Sequence, residues 1–528
     1  MGTFNDDFQA YPVGQQDFKM LREQGLVYVD KTMYIDKILR HRMQYLFLAR
    51  PRRFGKSLFL STLRYFFEGR RDLFSGLYID STNWEWLEYP VLYLDLNPDR
   101  YGDPNDLEKR LDNVFRMWED KYDVPTRDES YSLRLQNIIK AAHKKTGLHV
   151  VILVDEYDKP LVTNLKNKES LELYREHLAS IYSNFKSSSE HIRFVMLTGV
   201  SRFSKLSVFS DINNINDISF DDEFADICGI TETELHHYFK PGINRYASEE
   251  GISPEQACRQ LKTNYDGYRF SRKGSEIYNP WSVLNFMQKA RIEDYWNATG
   301  KPTIVVKALH DKEVNLEEIL NTECRQNMLQ GLDLSNAAPL PLLYQTGYLT
   351  IKDYDKETQL YRLGVPNQEV ARGLFNELAP YYISVKQEDT QTIVGNIVTS
   401  LLKGNPHKMM ENIDIFLAGI PYEMKMDNEN NFHNALFILL SLIGAQVETE
   451  VHTSDGRIDL VVKTTKFIYI IELKFNKDSD TAMSQIEEKE YDLAYRLDPR
   501  RIFLIGANFN KSLRRIDHPV IKEIGKEA

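Results

Sequence analysis

Two sets of residues have types and spacings suited to chemistry on phosphate. The first begins in LFLARPRRFGKSLFLSTL, Leu46 to Leu63. Gly55, Lys56 and Ser57 fit the end of a G-x-x-x-x-G-K-[ST] phosphate loop, with Arg50 where the first glycine belongs. Between a strand and a helix N-terminus, backbone N–H groups and the helix dipole would attract a phosphate. Lys56 would reach the outer phosphates and the Ser57 hydroxyl would sit on Mg2+. Gly55 would let the backbone approach closely, and Arg53 and Leu58 beside it join the nucleotide-binding set. In LHVVILVDEYDKP, Asp155 and Glu156 end an apolar run. An acid there holds the Mg2+ shell, and a neighbouring Glu polarises the attacking water. RFVMLTGVSRFSK ends similarly. Its Thr198 could sense a γ-phosphate and Arg202 neutralise it. Taken singly, each has a plainer reading as a helix cap, a solvated strand end or a polar loop.

The second set lies in SDGRIDLVVKTTKFIYIIELKF. A hairpin over Arg457–Val462 and Phe467–Phe475, turning at Thr465–Lys466, sets Asp459 opposite Glu472. Lys474, two residues on, shares the face of Glu472. Charges in so apolar a strand are costly unless they pair with each other or with a metal. Two carboxylates can hold a hard divalent cation with water positions open, as phosphodiester cleavage requires, and a lysine can stabilise the nucleophile. The plain alternative is a structural Glu472–Lys474 salt bridge with Asp459 exposed at a turn. Upstream, Glu429 and His433 are four apart, hence on one helix face.

The elements that would position these groups follow from the pattern. Gln44–Ala49, Val91–Leu96, Leu148–Val154 and Arg193–Thr198 are short β-rich runs, apolar rather than alternating, as in buried parallel strands. Helical patterns at Ser57–Phe67 and Asn105–Lys121 alternate with them, so the fold class is α/β with a covered parallel sheet. TETELHHYF opens on a capping box, and helices dominate to about residue 300. Residues 301–420 are mostly helical, with a hairpin at Tyr348–Leu363 in a winged-helix-like order. Phe432–Leu442 predicts a helix, Thr481–Arg496 another and Arg501–Gly506 a strand. The division expected is a P-loop domain over 1–210, a helical lid over 211–300, a helical connector over 301–420 and a restriction-endonuclease-like α/β domain over 421–528.

The 528 residues, 42% hydrophobic and 27% charged, suit several full cores. A net charge of -11 argues against a general nucleic-acid coat, though not against a local basic site. Cys228, Cys258 and Cys324 lie far apart, which excludes a zinc or disulfide framework by spacing. No secretory signal or membrane-length apolar run is evident, so a cytoplasmic protein with no membrane partner is expected. From Arg42 to Arg71 stand eight Lys or Arg with interleaved aromatics. That is a nucleic-acid surface or, more plainly, the solvated face of a helix.

Together, YVDKTMYIDKIL, LARPRRFGKSLFL, VVILVDEYDKPL, LTGVSRFSKLSVFSDINNINDIS, YDGYRF and YNPWSVLNF resemble the AAA-ATPase-like proteins that carry a C-terminal PD-(D/E)xK nuclease domain. The loop also resembles the G-P-R-R-x-G-K-[ST] form of archaeal-type ATPases, matched from Pro51 to Ser57 with Arg50 departing. The resemblance implies ATP and Mg2+ on Lys56, Ser57, Asp155 and Glu156, and places Val27–Ile38 near the adenine. It leaves Arg52 and Arg53 open to phosphate, a neighbouring subunit or nucleic acid. For the second set it implies metal on Asp459 and Glu472, with Mn2+ an alternative to Mg2+, Lys474 on the nucleophile, and Glu429 or else His433 completing the shell. Gln485 and Tyr491 resemble a Q…Y feature of RecB-like nucleases, although G-R-I-D replaces the usual PD. The expected function is an ATPase coupled to a nuclease acting on DNA, favoured over RNA, with a homo-oligomer compatible. The rivals are a nucleotide-switched scaffold with an inactive nuclease fold and an ATPase without nucleic-acid function.

Overall fold

The computed structural model describes residues 10–125, 130–164, 167–202, 215–299, 303–311, 314–330, 338–382, 387–419, 429–444, 448–454, 457–475, 477–510 and 515–524. The chain divides into two compact units. One comprises Met1–Trp296 and Thr322–Asn367, the other Asn297–Asn321 and Gln368–Ala528. Residues 301–420 therefore contribute to both.

In the first unit, β1 (Tyr45–Ala49), β2 (Val91–Asp95), β3 (Val150–Asp155), β4 (Ile192–Gly199) and β5 (Asn216–Asp217) form a parallel sheet in the order β2-β3-β4-β1-β5. The four strands expected from the apolar runs are present, with ends shifted by a residue or two. Every residue of β3 is buried, as a strand covered on both faces requires. Helices α1 (Lys56–Phe67), α2 (Asp106–Lys121) and α3 (Tyr131–Thr146) lie between the strands in sequence. Because all strands run one way, the ends of β1, β3 and β4 share one edge, where ligands of open α/β sheets bind.

The opposite edge carries three histidines. His143, in the last turn of α3, has its Nδ1 2.9 Å from His191 Nδ1, and its ring centroid 4.6 Å from that of His149. Burial, then the His149 and His191 charges, push the His143 pKa below its ordinary 6.5, while Glu190 opposes them. The unfolded chain therefore binds more protons once the pH falls through 6.5, so stability drops there and is unaffected above it. Acidifying from pH 7.5 to 5.5 is expected to lower the unfolding midpoint of wild type more than that of His143→Phe, as thermal scans at both pH values would show. Equal losses would contradict it.

After the sheet come β6 (Ile230–Thr231), α4 (Glu232–Glu250), α5 (Pro254–Tyr265), β7 (Ile277–Tyr278) and α6 (Pro280–Lys289). The expected capping box is made: Thr231 Oγ1 accepts from Glu234 N, and Glu234 returns to Thr231 N. Leu235, Phe239, Leu261, Val283 and Phe286 build this region's core. Strand β8 (Glu323–Cys324), helix α7 (Pro339–Thr346) and the hairpin β9 (Thr350–Asp355) and β10 (Leu360–Gly364) complete the unit. The three strands pair in the order β8-β10-β9. The hairpin was legible, its third strand was not, and the helix that follows, α8 (Gln368–Tyr382), falls in the second unit.

The second unit continues through α9 (Glu429–Gly444), β11 (Glu448–Ser454), β12 (Arg457–Lys463), β13 (Phe467–Phe475), α10 (Ser479–Glu488), β14 (Arg501–Asn510) and β15 (Arg515–Ile524). The five strands pair in chain order, antiparallel except for the parallel pair β13–β14. The helix expected over Thr481–Arg496 stops at Glu488. Glu490 takes a left-handed φ of 47°, and a 3-10 turn follows at Leu493–Tyr495. The strand expected to end at Gly506 runs on to Asn510, because β15 pairs with it. Among the described residues, no helix is long and apolar enough to cross a membrane.

Candidate active sites

The loop between β1 and α1 is shaped by two left-handed residues, Arg53 (φ 68°) and Gly55 (φ 96°). A Cβ on Gly55 would meet nothing within 4 Å, so glycine is needed there for conformation and leaves the loop interior open. Lys56 is 3% exposed. Its Nζ donates to the carbonyls of Arg50 (3.0 Å) and Pro51 (3.2 Å) and lies 3.6 Å from Glu156 Oε1. The ammonium is thus held inside the loop by acceptors that a phosphate oxygen could replace.

Asp155 is the hub of the sheet edge. Thr198 Oγ1 donates to its Oδ1 at 2.6 Å, and the hydroxyls of Ser57 and Tyr93 lie beside it. Burial raises the Asp155 pKa and the Glu156 charge adds to this, against the Thr198 and Ser57 hydroxyls and the Lys56 charge. A divalent cation would relieve that burial cost, and a carboxylate with a serine hydroxyl is a donor set that suits Mg2+. Glu156 sits beside Asp155 with a left-handed φ of 52°. Strain of this kind in a non-glycine residue gathers at functional sites. Lys56, Ser57, Asp155, Glu156 and Thr198 are therefore brought together. Arg202 is turned elsewhere: its Nη1 pairs with Asp217 at 2.5 Å and its N–H donates to Gln345 Oε1. Most of the quoted stretch beyond it, residues 203–214, lies outside the described residues.

The structure gives Arg50 a different task from the glycine it replaces. Its φ is not positive, and the side chain, 1% exposed, leaves the loop altogether. The guanidinium donates to the carbonyls of Ala49 (2.9 Å), Ser219 (2.8 Å), Phe224 (3.2 Å) and Ala225 (3.3 Å), and lies 4.4 Å from the Phe270 ring centroid. It is a structural anchor tying β1 to the 219–225 segment. Arg50→Gly would restore the common pattern but strand these buried acceptors. The expected result is a loss of about 3 kcal/mol, read as a lower unfolding midpoint, with no gain in nucleotide affinity. An unchanged midpoint would contradict the anchor.

Beside Gly55 and Leu58 opens a cavity of about 80 Å3, lined mainly by apolar groups including Val27, Val29, Ile230 and Leu284, with Lys31 among them. Its apolar lining suits the face of a flat ring, and it contains part of the segment expected near the adenine.

Sequence reading overlooked Asp158, though the spacing D-E-Y-D carries it. Its buried carboxylate accepts from the N–H groups of Val200 (3.1 Å) and Ser201 (2.6 Å). Burial, then the Glu156 charge, push its pKa up to about 7. A Cβ on Gly199 would come within 2.5 Å of Asp158 Oδ1, so only glycine lets β4 end against it.

In the second unit the hairpin has the expected register: Asp459 pairs with Glu472 and Arg457 with Lys474. The side chains of Asp459, Glu429 and His433 lie outside the described residues. Glu472 is 0% and Lys474 4% exposed, and their Oε1 and Nζ are 2.7 Å apart. Lys474 Nζ also donates to Gln485 Oε1 on α10. That helix fits because Gly506, the parallel neighbour of Glu472, has no Cβ; one would lie 2.5 Å from Met483 N. Tyr491 packs against the apolar cluster of Ile470, Ile486 and Ile502. Among the described residues no group of three or more His, Cys, Asp or Glu is placed to hold a metal. The described part of this donor set is Glu472, a buried anion that suits a hard cation once Asp459 adds its carboxylate.

Residues 12–209 match the AAA-ATPase-like family, described as a predicted AAA-ATPase. Residues 427–519 match the PD-(D/E)XK nuclease superfamily. An uncharacterised protein in the vnfD 5' region of Azotobacter chroococcum mcd 1 is 32% identical over 528 residues, covering 97% of this chain and 99% of that protein. The chain belongs to the AAA-ATPase-like family. The first unit supplies the parallel sheet with its helices, and residues 50–57 join β1 to α1 within the matched span. The mixed sheet of the second is consistent with the PD-(D/E)XK fold. The AAA-ATPase-like domain and the nuclease-superfamily domain are thus both present in one chain.

Proposed function

We propose that this AAA-ATPase-like protein binds and hydrolyses ATP at residues 50–57 and uses the nucleotide to control metal-dependent cutting of nucleic acid, DNA in the first instance, by its C-terminal hairpin. The observation that carries the reading is the meeting of Ser57, Thr198 and Glu156 around Asp155, with Lys56 held in the loop alongside. Lys56 binds the outer phosphates, Thr198 fixes the Asp155 carboxylate, and Glu156 takes the proton of the attacking water. Mg2+ on Ser57 and Asp155 would neutralise phosphate charge. At the hairpin, Asp459 and Glu472 would hold a second Mg2+ or Mn2+, which lowers the pKa of a bound water. Lys474, oriented by Gln485, stabilises the charge that develops on the scissile phosphate. All three cysteines are free, which suits a reducing cytoplasm.

A second reading has its own support. The 2.7 Å Glu472–Lys474 contact is also what a purely structural bridge would show, leaving a nucleotide-switched protein that grips nucleic acid without cutting it. Incubation with plasmid, single-stranded DNA and RNA, with Mg2+ or Mn2+ and with or without ATP, separates the two. Cleavage that needs the metal and responds to ATP supports the first reading. Retention of DNA on the protein without cleavage under every condition supports the second.

A further inference from the structure

Arg53 is a cation of the phosphate loop that the proposed chemistry does not use. Half-buried and held in the left-handed region, it has no carboxylate partner among the described residues, and its guanidinium lies 4.1 Å from the Trp281 ring centroid. Trp281 is the second residue of α6. It is fixed from both ends: its backbone N–H donates to Asn279 Oδ1, and its indole N–H donates to the carbonyl of Tyr295 at 3.1 Å. The same helix end reaches the apolar pocket through Pro280 and Leu284. Helix α6 therefore touches the proposed nucleotide site at two places, the base pocket by its apolar side chains and the phosphate loop through one arginine.

We propose that Arg53 and Trp281 form a phosphate-responsive latch, in which the guanidinium rests on the indole while the loop is empty and leaves it for the polyphosphate of a bound nucleoside triphosphate. This rests on the nucleotide-binding reading above. A guanidinium–indole stack is a modest attraction. A charge-assisted, two-pronged bond to phosphate is stronger and better matched to the arginine fork. Arg52, next in the loop, is held separately over Trp296, whose indole N–H donates to the Arg52 carbonyl at 3.2 Å. Burial and the Arg52 charge both disfavour the ionised form of Arg53, so an arriving anion meets a cation short of compensation. Departure of Arg53 uncovers the Trp281 indole, and the start of α6 acquires one environment for the empty loop and another for the filled one.

Tryptophan emission and calorimetric titration of the full chain with ATP and Mg2+ test the latch. The chain has 5 tryptophans, so Trp281→Phe identifies the one that reports. Wild type should change its emission on saturation. Trp281→Phe should abolish most of that change while still binding ATP. Trp281→Leu should bind ATP about two- to fivefold more tightly, because no stack has to be broken. Arg53→Gln should bind more weakly and, when saturated, show no emission change. A full change in saturated Arg53→Gln would overturn the latch, since the base in its pocket would then be moving α6. So would weaker binding by Trp281→Leu together with an unchanged signal in Trp281→Phe. If wild type shows no calorimetric binding of ATP, the nucleotide reading itself fails and the latch with it.

Discussion

Replacing Glu472 with glutamine is expected to abolish metal-dependent cleavage, with a loss of at least ~10³ in rate. The substitution keeps the shape of a fully buried side chain and removes the charge needed beside Asp459 to hold a divalent cation. Lys474→Met should be folded and slowed by ~10²–10³, because one positioned charge at the reacting phosphate is lost. Each single change leaves one charge of the 2.7 Å pair without its opposite. Stranding a buried charge typically costs about 3–5 kcal/mol, whereas removing both can be close to neutral. The double variant Glu472→Gln/Lys474→Met therefore separates the two readings of the hairpin. If the pair is only a structural bridge, stability recovers in the double variant and whatever cleavage wild type shows is retained. If it is catalytic, stability recovers and cleavage does not.

The second large effect concerns ATP. Lys56→Ala should weaken ATP binding by ~10² or more, since the buried ammonium that would meet the outer phosphates is lost. Glu156→Gln should bind ATP as wild type does and hydrolyse it ~10²–10⁴-fold more slowly, the usual contribution of a general base. Asp155, with the Ser57 and Thr198 hydroxyls beside it, stays in place in that variant. Binding by calorimetry and phosphate release on the same preparations distinguish the two. If Lys56→Ala binds and hydrolyses ATP like wild type, the loop is not a nucleotide site.

The parts of the fold legible in the sequence were those written in local pattern. Buried parallel strands read as unbroken apolar runs, and the hairpin turn at Thr465–Lys466 set the register of Asp459 with Glu472. The resemblance supplied what pattern could not, the union of a phosphate loop with a nuclease fold. What stayed hidden depends on contacts distant in sequence. Arg50 read as a defect in a motif, because the carbonyls of Ser219 and Phe224 that it satisfies lie far along the chain. Asp158 goes unnoticed in D-E-Y-D, since the close approach of Gly199 that buries it belongs to another strand. The extra length of β14 comes from β15, an edge strand too polar to announce itself. Arg52 and Arg53 stayed open for the same reason: their tryptophan partners, Trp296 and Trp281, stand in a later segment.

The central claim is that two separate chemistries reside in one chain, and the most direct test measures both on the same samples. ATP turnover and Mg2+-dependent DNA cleavage would be assayed on wild type, Glu156→Gln and Glu472→Gln/Lys474→Met. The expected result is that Glu156→Gln loses turnover, and that the double variant loses cleavage while its turnover without DNA stays at the wild-type level. Robust metal-dependent cleavage by the double variant would contradict the account and place the nuclease elsewhere.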